Sequence, residues 1–313
     1  MHVAFIGFGE AGRAFAQGLR GEPAGRPGRC TMSAYDLLLD LPPGAPAAER
    51  ARAAALRAAA DGLQVRLAAD HVDAVRDADL VFLAVTAATS LEAACSARPG
   101  LRAGQWLLDV NSVSPGRKRE TEARVLPTGA AYVDVAVMSP VHPALHRTPL
   151  LVGGPGGATL MPHLAALGMR ADYVDAATGT ASAVKMVRSI VVKGIEALLV
   201  EAMITGAAHG VNARVLASLD RSHPGWDWSR MAGYSIERVV SHGARRAAEM
   251  REVAATVAET GLDPQMAVAT AARQQWVADL GVADRFPGAA PAELEPLLAA
   301  IAQARGAADG SAR

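Results

Sequence analysis

Aromatic side chains make up only 4% of this 313-residue chain, cysteine occurs twice, and the formal net charge is zero. Each shortage excludes something. With 31 basic and 31 acidic residues and no basic run, the chain lacks the bulk positive field that drives nonspecific nucleic-acid binding. It has no stretch of about 18 consecutive apolar residues, so no membrane-spanning helix is expected. Two cysteines, Cys30 and Cys95, cannot build a disulfide framework and point to a reducing, cytoplasmic setting. The opening MHVAFIGFGE reads as a strand rather than a secretory leader. The histidines show no compact ligand spacing and the two cysteines lie 65 apart, so no metal is expected. With few aromatics, Ala, Leu and Val must fill the core, which favours close helix packing on small side chains.

What is present is an alternation. Residues 2–7, 31–36, 63–67, 80–85, 106–110, 132–137 and 150–153 read as strands, and 12–20 and 47–60 as helices. Residues 21–29 form a Pro/Gly-rich loop. Strands alternating with helices predict an α/β Rossmann-like domain with a mostly parallel sheet. The run LVFLAV at 80–85 is apolar throughout, as expected of a strand covered on both faces. The pattern changes near Thr178. Residues 181–210 form one long apolar-periodic segment without proline, read as a connecting helix. Beyond it, 214–219, 229–241, 244–259 and 264–280 read as helices, punctuated by Gly225, Gly243, Gly261 and Gly281. The expected division is a dinucleotide-binding domain over 1–178, a connecting helix over 179–210 and an all-α substrate and dimerisation domain over 211–313. Residues after about 302 are small and polar and are expected to form a frayed tail.

The segment Gly7-Phe8-Gly9-Glu10-Ala11-Gly12 is a G-x-G-x-x-G between a predicted strand and a predicted helix, the context that makes it a dinucleotide fingerprint. Gly7 permits the tight turn, Gly9 lets a pyrophosphate approach the backbone, and Gly12 lets helix pack on strand. The phosphates then meet free N–H groups and the positive end of a helix dipole. Asp36 ends the second strand, 24 residues after Gly12. An acid there binds ribose hydroxyls and repels a 2′-phosphate, which favours NAD over NADP. Arg13 and the arginines of the 21–29 loop remain able to hold a 2′-phosphate.

GFGEAG, LAVTAATS, LLDVNSVSPG, VDVAVMSPV and GTASAVKMVRS occur in that order. Together they resemble the β-hydroxyacid dehydrogenase family, which includes 3-hydroxyisobutyrate and 6-phosphogluconate dehydrogenases. VDVAVMSPV, KMVRS and ERVVSHGARRAAEM resemble a poorly characterised branch with a phosphogluconate-dehydrogenase-like C-terminal domain. The resemblance implies cofactor contacts at Gly7 to Gly12, Val85, Thr86, Asn111 and Ser112. The family's D-x-S-T-x-x-P segment corresponds to Asp109-Val110-Asn111-Ser112-Val113-Ser114-Pro115, with Asn111 where Ser is usual. A polar loop capping the next helix is the plainer reading of the same residues. The substrate segment D-A-P-V-S-G-G corresponds to residues 134–140, with Ser139 at the substrate serine. Pro140-Val141 replaces Gly-Gly and removes a backbone donor. His142 is a candidate donor in its place, and His146 a weaker one. In the catalytic signature G-x-G-x-x-x-K-x-x-x-N, Gly179 and Lys185 are retained, while Ala181 and Ser189 replace the second Gly and the Asn.

Oxidising an alcohol removes a hydride from carbon and a proton from oxygen, and a nicotinamide takes only the hydride. Lys185 is the candidate general acid/base for the proton. A lysine can serve when its pKa falls from about 10.4 toward neutrality. Arg188 and Ser189, at i+3 and i+4, share its helix face and are candidate substrate contacts. A solvated cationic face is the plainer reading, but Val184, Met186, Val187, Ile190, Val191 and Val192 surround the pair, and a helix apolar all round is usually buried. Lys193 is the rival lysine, with Glu196 at i+3 as its expected partner. Arg245 and Arg246 are weaker candidates. The expected activity is NAD(P)-dependent hydride transfer on a small anionic β-hydroxy acid, in a homodimer whose second copy covers the apolar helix. An imine reductase-like enzyme and a non-catalytic dinucleotide-binding protein are the alternatives.

Overall fold

The computed structural model describes residues 1–21, 30–286, 290–291 and 293–311. From residue 22 onward, the Pro/Gly-rich loop expected over 21–29 lies outside the described residues, and so do its arginines. The chain divides into two compact units, Met1–Lys185 and Met186–Arg313.

The first unit is built on eight strands: β1 (His2–Ile6), β2 (Thr31–Tyr35), β3 (Arg66–Leu67), β4 (Leu80–Leu83), β5 (Trp106–Asp109), β6 (Ala131–Val137), β7 (Leu150–Gly153) and β8 (Ala171–Asp175). Its helices are α1 (Glu10–Arg20), α2 (Ala47–Gly62), α3 (His71–Val75), α4 (Ser90–Ala97), α5 (Pro115–Val125) and α6 (Gly157–Ala166). The strands form one sheet in the order β3-β2-β1-β4-β5-β6-β7-β8. Strands β1 to β6 pair in parallel, β7 runs antiparallel to β6, and β8 is parallel to β7. This is the Rossmann-like, mostly parallel sheet expected.

Period-2 alternation explains why the strands are apolar throughout. Val3, Phe5, Leu80, Phe82 and Leu108 enter one core; Ala4, Ile6, Val81, Leu83 and Leu107 enter the other. The scarce aromatics are concentrated: Phe5 stacks on Phe82 at 5.5 Å between centroids, and Phe8 and Phe15 pack tilted against this pair. Strand β8 was not expected, because its ADYVD sequence is largely exposed and carries little apolar signal.

Helix α7 (Thr180–Ala208) begins in the first unit and continues into the second, which adds α8 (Asn212–Ser222), α9 (Trp228–Ala258), α10 (Gln265–Asp279) and α11 (Leu294–Ser311). As expected over 229–241 and 244–259, two helices lie within Trp228–Ala258 and meet at a kink, where His242 leaves the helical region (φ −137°, ψ 15°). Gly243 directly follows the kink. A Cβ there would lie 2.7 Å from the Gln274 carbonyl, so the glycine admits the backbone of α10. The tail expected after about 302 continues as helix through Ser311. It lies within α11, which Leu297, Leu298, Ile301 and Ala304 anchor in the helical core at helix spacing. Helix α7 is also not buried all round: Val184, Val187, Arg188, Val191, Val192 and Leu198 are exposed on the single chain. No helix among the described residues is long and apolar enough to cross a membrane.

Candidate functional site

The expected site residues of the first unit lie where parallel strands end at one edge of the sheet. The glycine loop follows β1, Asp36 follows β2, Val85 and Thr86 follow β4, Asn111 and Ser112 follow β5, and Ser139 follows β6. In open α/β sheets this carboxyl edge is where ligands bind, at the point where strand order reverses; here that point lies between β1 and β4.

Each loop glycine has a distinct geometric reason. Gly7 has φ +86°, and a Cβ on it would lie 2.4 Å from the Ala84 carbonyl at the end of β4. A Cβ on Gly12 would lie 2.6 Å from the Gly7 carbonyl. Gly9 has nothing within 4 Å of the Cβ position, so open space lies directly over the backbone. Gly9 is the N-cap of α1, and no side chain caps that helix. Its first-turn amides suit an anion. Phe8 points into the core and leaves only its backbone to a ligand. The Phe8 amide donates to Asp36 Oδ2 at 2.8 Å and the Leu38 amide to Oδ1 at 3.0 Å. Asp36 is therefore tied to the glycine loop.

The loop after β5 separates structural from available groups. Ser114 caps α5 by accepting from the Arg117 amide at 3.2 Å, and Pro115 occupies the first helical position. That leaves Asn111 and Ser112 uncommitted to the cap. Asn111 donates its backbone N–H and Nδ2 to Asp109 Oδ1 at 3.0 and 2.7 Å. Its own Oδ1 is buried without a hydrogen-bond partner, the kind of orphan that a ligand donor satisfies. Lys185, one turn into α7 and half-buried, donates from Nζ to Ser112 Oγ at 2.5 Å.

A fully buried ionic cluster lies beneath this pair, and the sequence reading missed it. Lys118 Nζ is 3.1 Å from Asp109 Oδ1 and 3.5 Å from Asp134 Oδ1, and donates to the Asp109 carbonyl at 2.5 Å. Tyr132 donates its hydroxyl to Asp109 Oδ2 at 2.7 Å, and burial beside that carboxylate pushes the phenol well above its ordinary pKa. Asp134 accepts from the amides of Gly179 and Ser182 at 3.1 and 3.0 Å and from Ser182 Oγ at 2.6 Å. A strand carboxylate thus caps α7 from 45 residues away. Gly179 has φ +99° and packs against Pro115, which accounts for the retained glycine; Ala181 is a fully buried helix residue. One sequence signal was available for Lys118. Of the 31 Lys and Arg residues only three are lysine, at 118, 185 and 193.

The remaining candidates are dispersed. Ser139 and His142 are exposed on the β6–β7 connection. His142, with Glu10, Arg13 and Gln17 of α1, lines a surface cavity of about 420 Å³. His146 is buried against α1, where a Cβ on Gly18 would collide with its ring. Arg188 is exposed in the second unit. Ser189 is buried there and accepts from Lys193 Nζ at 3.2 Å. Lys193 pairs with Glu249 at 2.8 Å. The expected Lys193–Glu196 pair is corrected: Glu196 is taken by Arg246, and burial raises its pKa despite that partner. Arg245 pairs with Glu249 at 2.7 Å.

The model of the NAD binding domain of 6-phosphogluconate dehydrogenase matches residues 46–175, and a domain of unknown function, DUF1932, matches residues 207–277. A conserved hypothetical protein from Sinorhizobium meliloti 1021 is 34% identical over 97% of this chain and 96% of that one, with a TM-score of 0.75. The chain belongs to the β-hydroxyacid dehydrogenase family. A conserved protein of unknown function, described as structurally similar to 3-hydroxyacid dehydrogenases, is 26% identical over 89% of this chain and 97% of its own, with a TM-score of 0.68. Mycobacterium tuberculosis 3-hydroxyisobutyrate dehydrogenase, solved with L-serine, shares the fold: 19% identity over 97% and 99% of the two chains, TM-score 0.66. The β-hydroxyacid dehydrogenase relationship brings with it a Rossmann-fold, NAD-binding oxidoreductase class. The matched span starts after the glycine loop, so the case for that loop rests on its geometry.

Proposed function

We propose that the protein transfers a hydride between a nicotinamide dinucleotide and a small anionic β-hydroxy acid, with Lys185 as general acid/base. The observation that supports this most directly is the 2.5 Å hydrogen bond from Lys185 Nζ to Ser112 Oγ. It holds the amine beside a loop at the carboxyl edge of the sheet, the edge at which open α/β sheets bind dinucleotides. The cofactor residues fit the group: an open glycine approach, uncapped amides on α1, and an acceptor on Asn111 that lacks a donor.

The nicotinamide, when bound, accepts hydride in the oxidative direction and returns it in reduction. Lys185, as the free amine, takes the hydroxyl proton onto Nζ; in reverse the ammonium returns it. Ser112 Oγ accepts from Nζ and so fixes where that proton is held. Asn111 Oδ1 receives a donor from cofactor or substrate. Asp36, already oriented by two amides, accepts from ribose hydroxyls, which makes NAD the preferred dinucleotide over NADP. Ser139 and His142, both on the β6–β7 connection of the first unit, are assigned to the acid end of the substrate. Ser189 accepts from Lys193 and keeps its own O–H to donate.

The exposed valines and Leu198 along α7 form an apolar stripe, and the occupant we assign to it is a second copy of the chain. Light scattering coupled to gel filtration tests that homodimer. The cytoplasmic setting stands on two free cysteines. The function itself is tested by screening hydroxy acids and hydroxyphosphonates by nicotinamide absorbance, with NAD and NADP side by side. Turnover of an anionic hydroxy acid is expected, faster with NAD. Turnover confined to imines points instead to an imine reductase-like enzyme. Calorimetric NADH binding without hydride transfer to any acid points to a dinucleotide-binding protein.

A further inference from the structure

Three lysines among 31 Lys and Arg residues means that arginine supplies nearly every other cation in this chain. A lysine retained in that background marks a place where a compact ammonium does what a planar guanidinium does not. Lys118 is fully buried. Its three ammonium protons face three oxygens: the Asp109 carbonyl, Asp109 Oδ1 and Asp134 Oδ1.

Those two aspartates anchor the two halves of the Lys185–Ser112 pair. Asp109 accepts from the Asn111 backbone and side chain and so sets the path of the loop that reaches Ser112. Asp134 accepts from Gly179 and Ser182 and so sets the first turn of α7, with Lys185 one turn further on. The loop and the helix start are 70 residues apart in sequence, and Lys118 is bonded to both anchors. We propose that Lys118 is a positioning residue: its ammonium ties the Asp109 loop to the Asp134-capped start of α7 and thereby holds Lys185 Nζ within hydrogen-bonding distance of Ser112 Oγ. The effect on turnover rests on Lys185 being the proton-transferring group; the effect on the geometry of the pair does not.

Full-length protein labelled at lysine Cε and Nζ gives three NMR signals, one per lysine, with Ser112→Ala as the reference for a broken bond. In Lys118→Met the Lys185 signal is expected to move toward its Ser112→Ala position. With the hydroxy acid found by the screen, kcat should fall about a hundredfold, the cost of a misplacement on the order of 1 Å, while KM and NADH affinity hold. The double variant Lys118→Met, Asp109→Asn removes one buried carboxylate charge and is expected to recover stability but not kcat. It also carries both readouts if the single variant fails to fold. A Lys185 signal at its wild-type position in these variants overturns the positioning role. So does recovery of kcat together with stability, because Lys118 would then only balance charge. If Lys185→Met keeps normal kcat, the catalytic reading of Lys185 falls, and the Lys185 signal in Lys118→Met still decides the geometry.

Discussion

Each unit of the chain buries an ionic cluster, and the two are built in opposite ways. In the first, Lys118, Asp109 and Asp134 are fully buried, and the carboxylates also accept from backbone amides and from tyrosine and serine hydroxyls. In the second, Glu196, Arg246 and Gln274 meet through side chains alone, and Arg246 Nε and Gln274 Oε1 remain without partners. A buried ion pair is weak evidence for stability, because desolvation offsets much of the attraction. The satisfied cluster sits where strand ends and a helix start need acceptors in any case, so its charges also complete the backbone. The incompletely satisfied one joins helices whose backbones are already complete. The first therefore specifies a geometry, and the second is closer to a tolerated inclusion.

The largest test of that contrast is at the pair the first cluster supports. Lys185→Met should lower kcat by about 10²–10⁴-fold, the usual worth of a positioned acid/base, while calorimetry finds NADH affinity retained. Next in size, Lys118→Met should cost about 3–5 kcal/mol in urea unfolding, because two carboxylates lose their cation. In the second unit, replacing both partners together, Glu196→Leu with Arg246→Met, should leave stability within about 1 kcal/mol of wild type or raise it. If the double replacement costs as much as Lys118→Met, the two clusters are not different in kind.

The smallest effect is a slope. Burial raises the pKa of Glu196 in the folded chain. The folded state therefore holds a proton that the unfolded state has released once pH passes the ordinary glutamate value of 4.5. Stability from this group is present below that value and is lost as pH rises through the raised one. Glu196→Gln should remove that downward slope from a plot of unfolding free energy against pH. A variant whose slope matches wild type would remove Glu196 as its source.

Much of the framework was legible because its causes are local. Gly7, Gly9 and Gly12 sit within six residues: Gly7 takes a positive φ, Gly12 approaches the Gly7 carbonyl, and Gly9 leaves open space over the backbone. The apolar strands were legible because both sheet faces are covered. What escaped reading depends on distant partners or on weak amphipathic signal. That Asp134 would cap α7 is invisible when the two are 45 residues apart. Strand β8 is exposed and mixed in character. Helix α11 ends in small residues, and its last turns are helical because four residues before them are buried. The apolar run around Lys185 suggested uniform burial; instead Val184, Val187, Val191 and Val192 are exposed on the single chain.

The lysine distribution also has a practical side. Lys118 and Lys193 are buried and Lys185 is half-buried, while the Met1 end is exposed. An amine-selective acylating reagent therefore meets two targets on the native molecule, the terminus and Lys185. The chain carries its own occupancy gauge: whatever settles over Ser112 and Lys185 shields one of two labels, and mass spectrometry of the intact protein counts the difference without any assay of turnover.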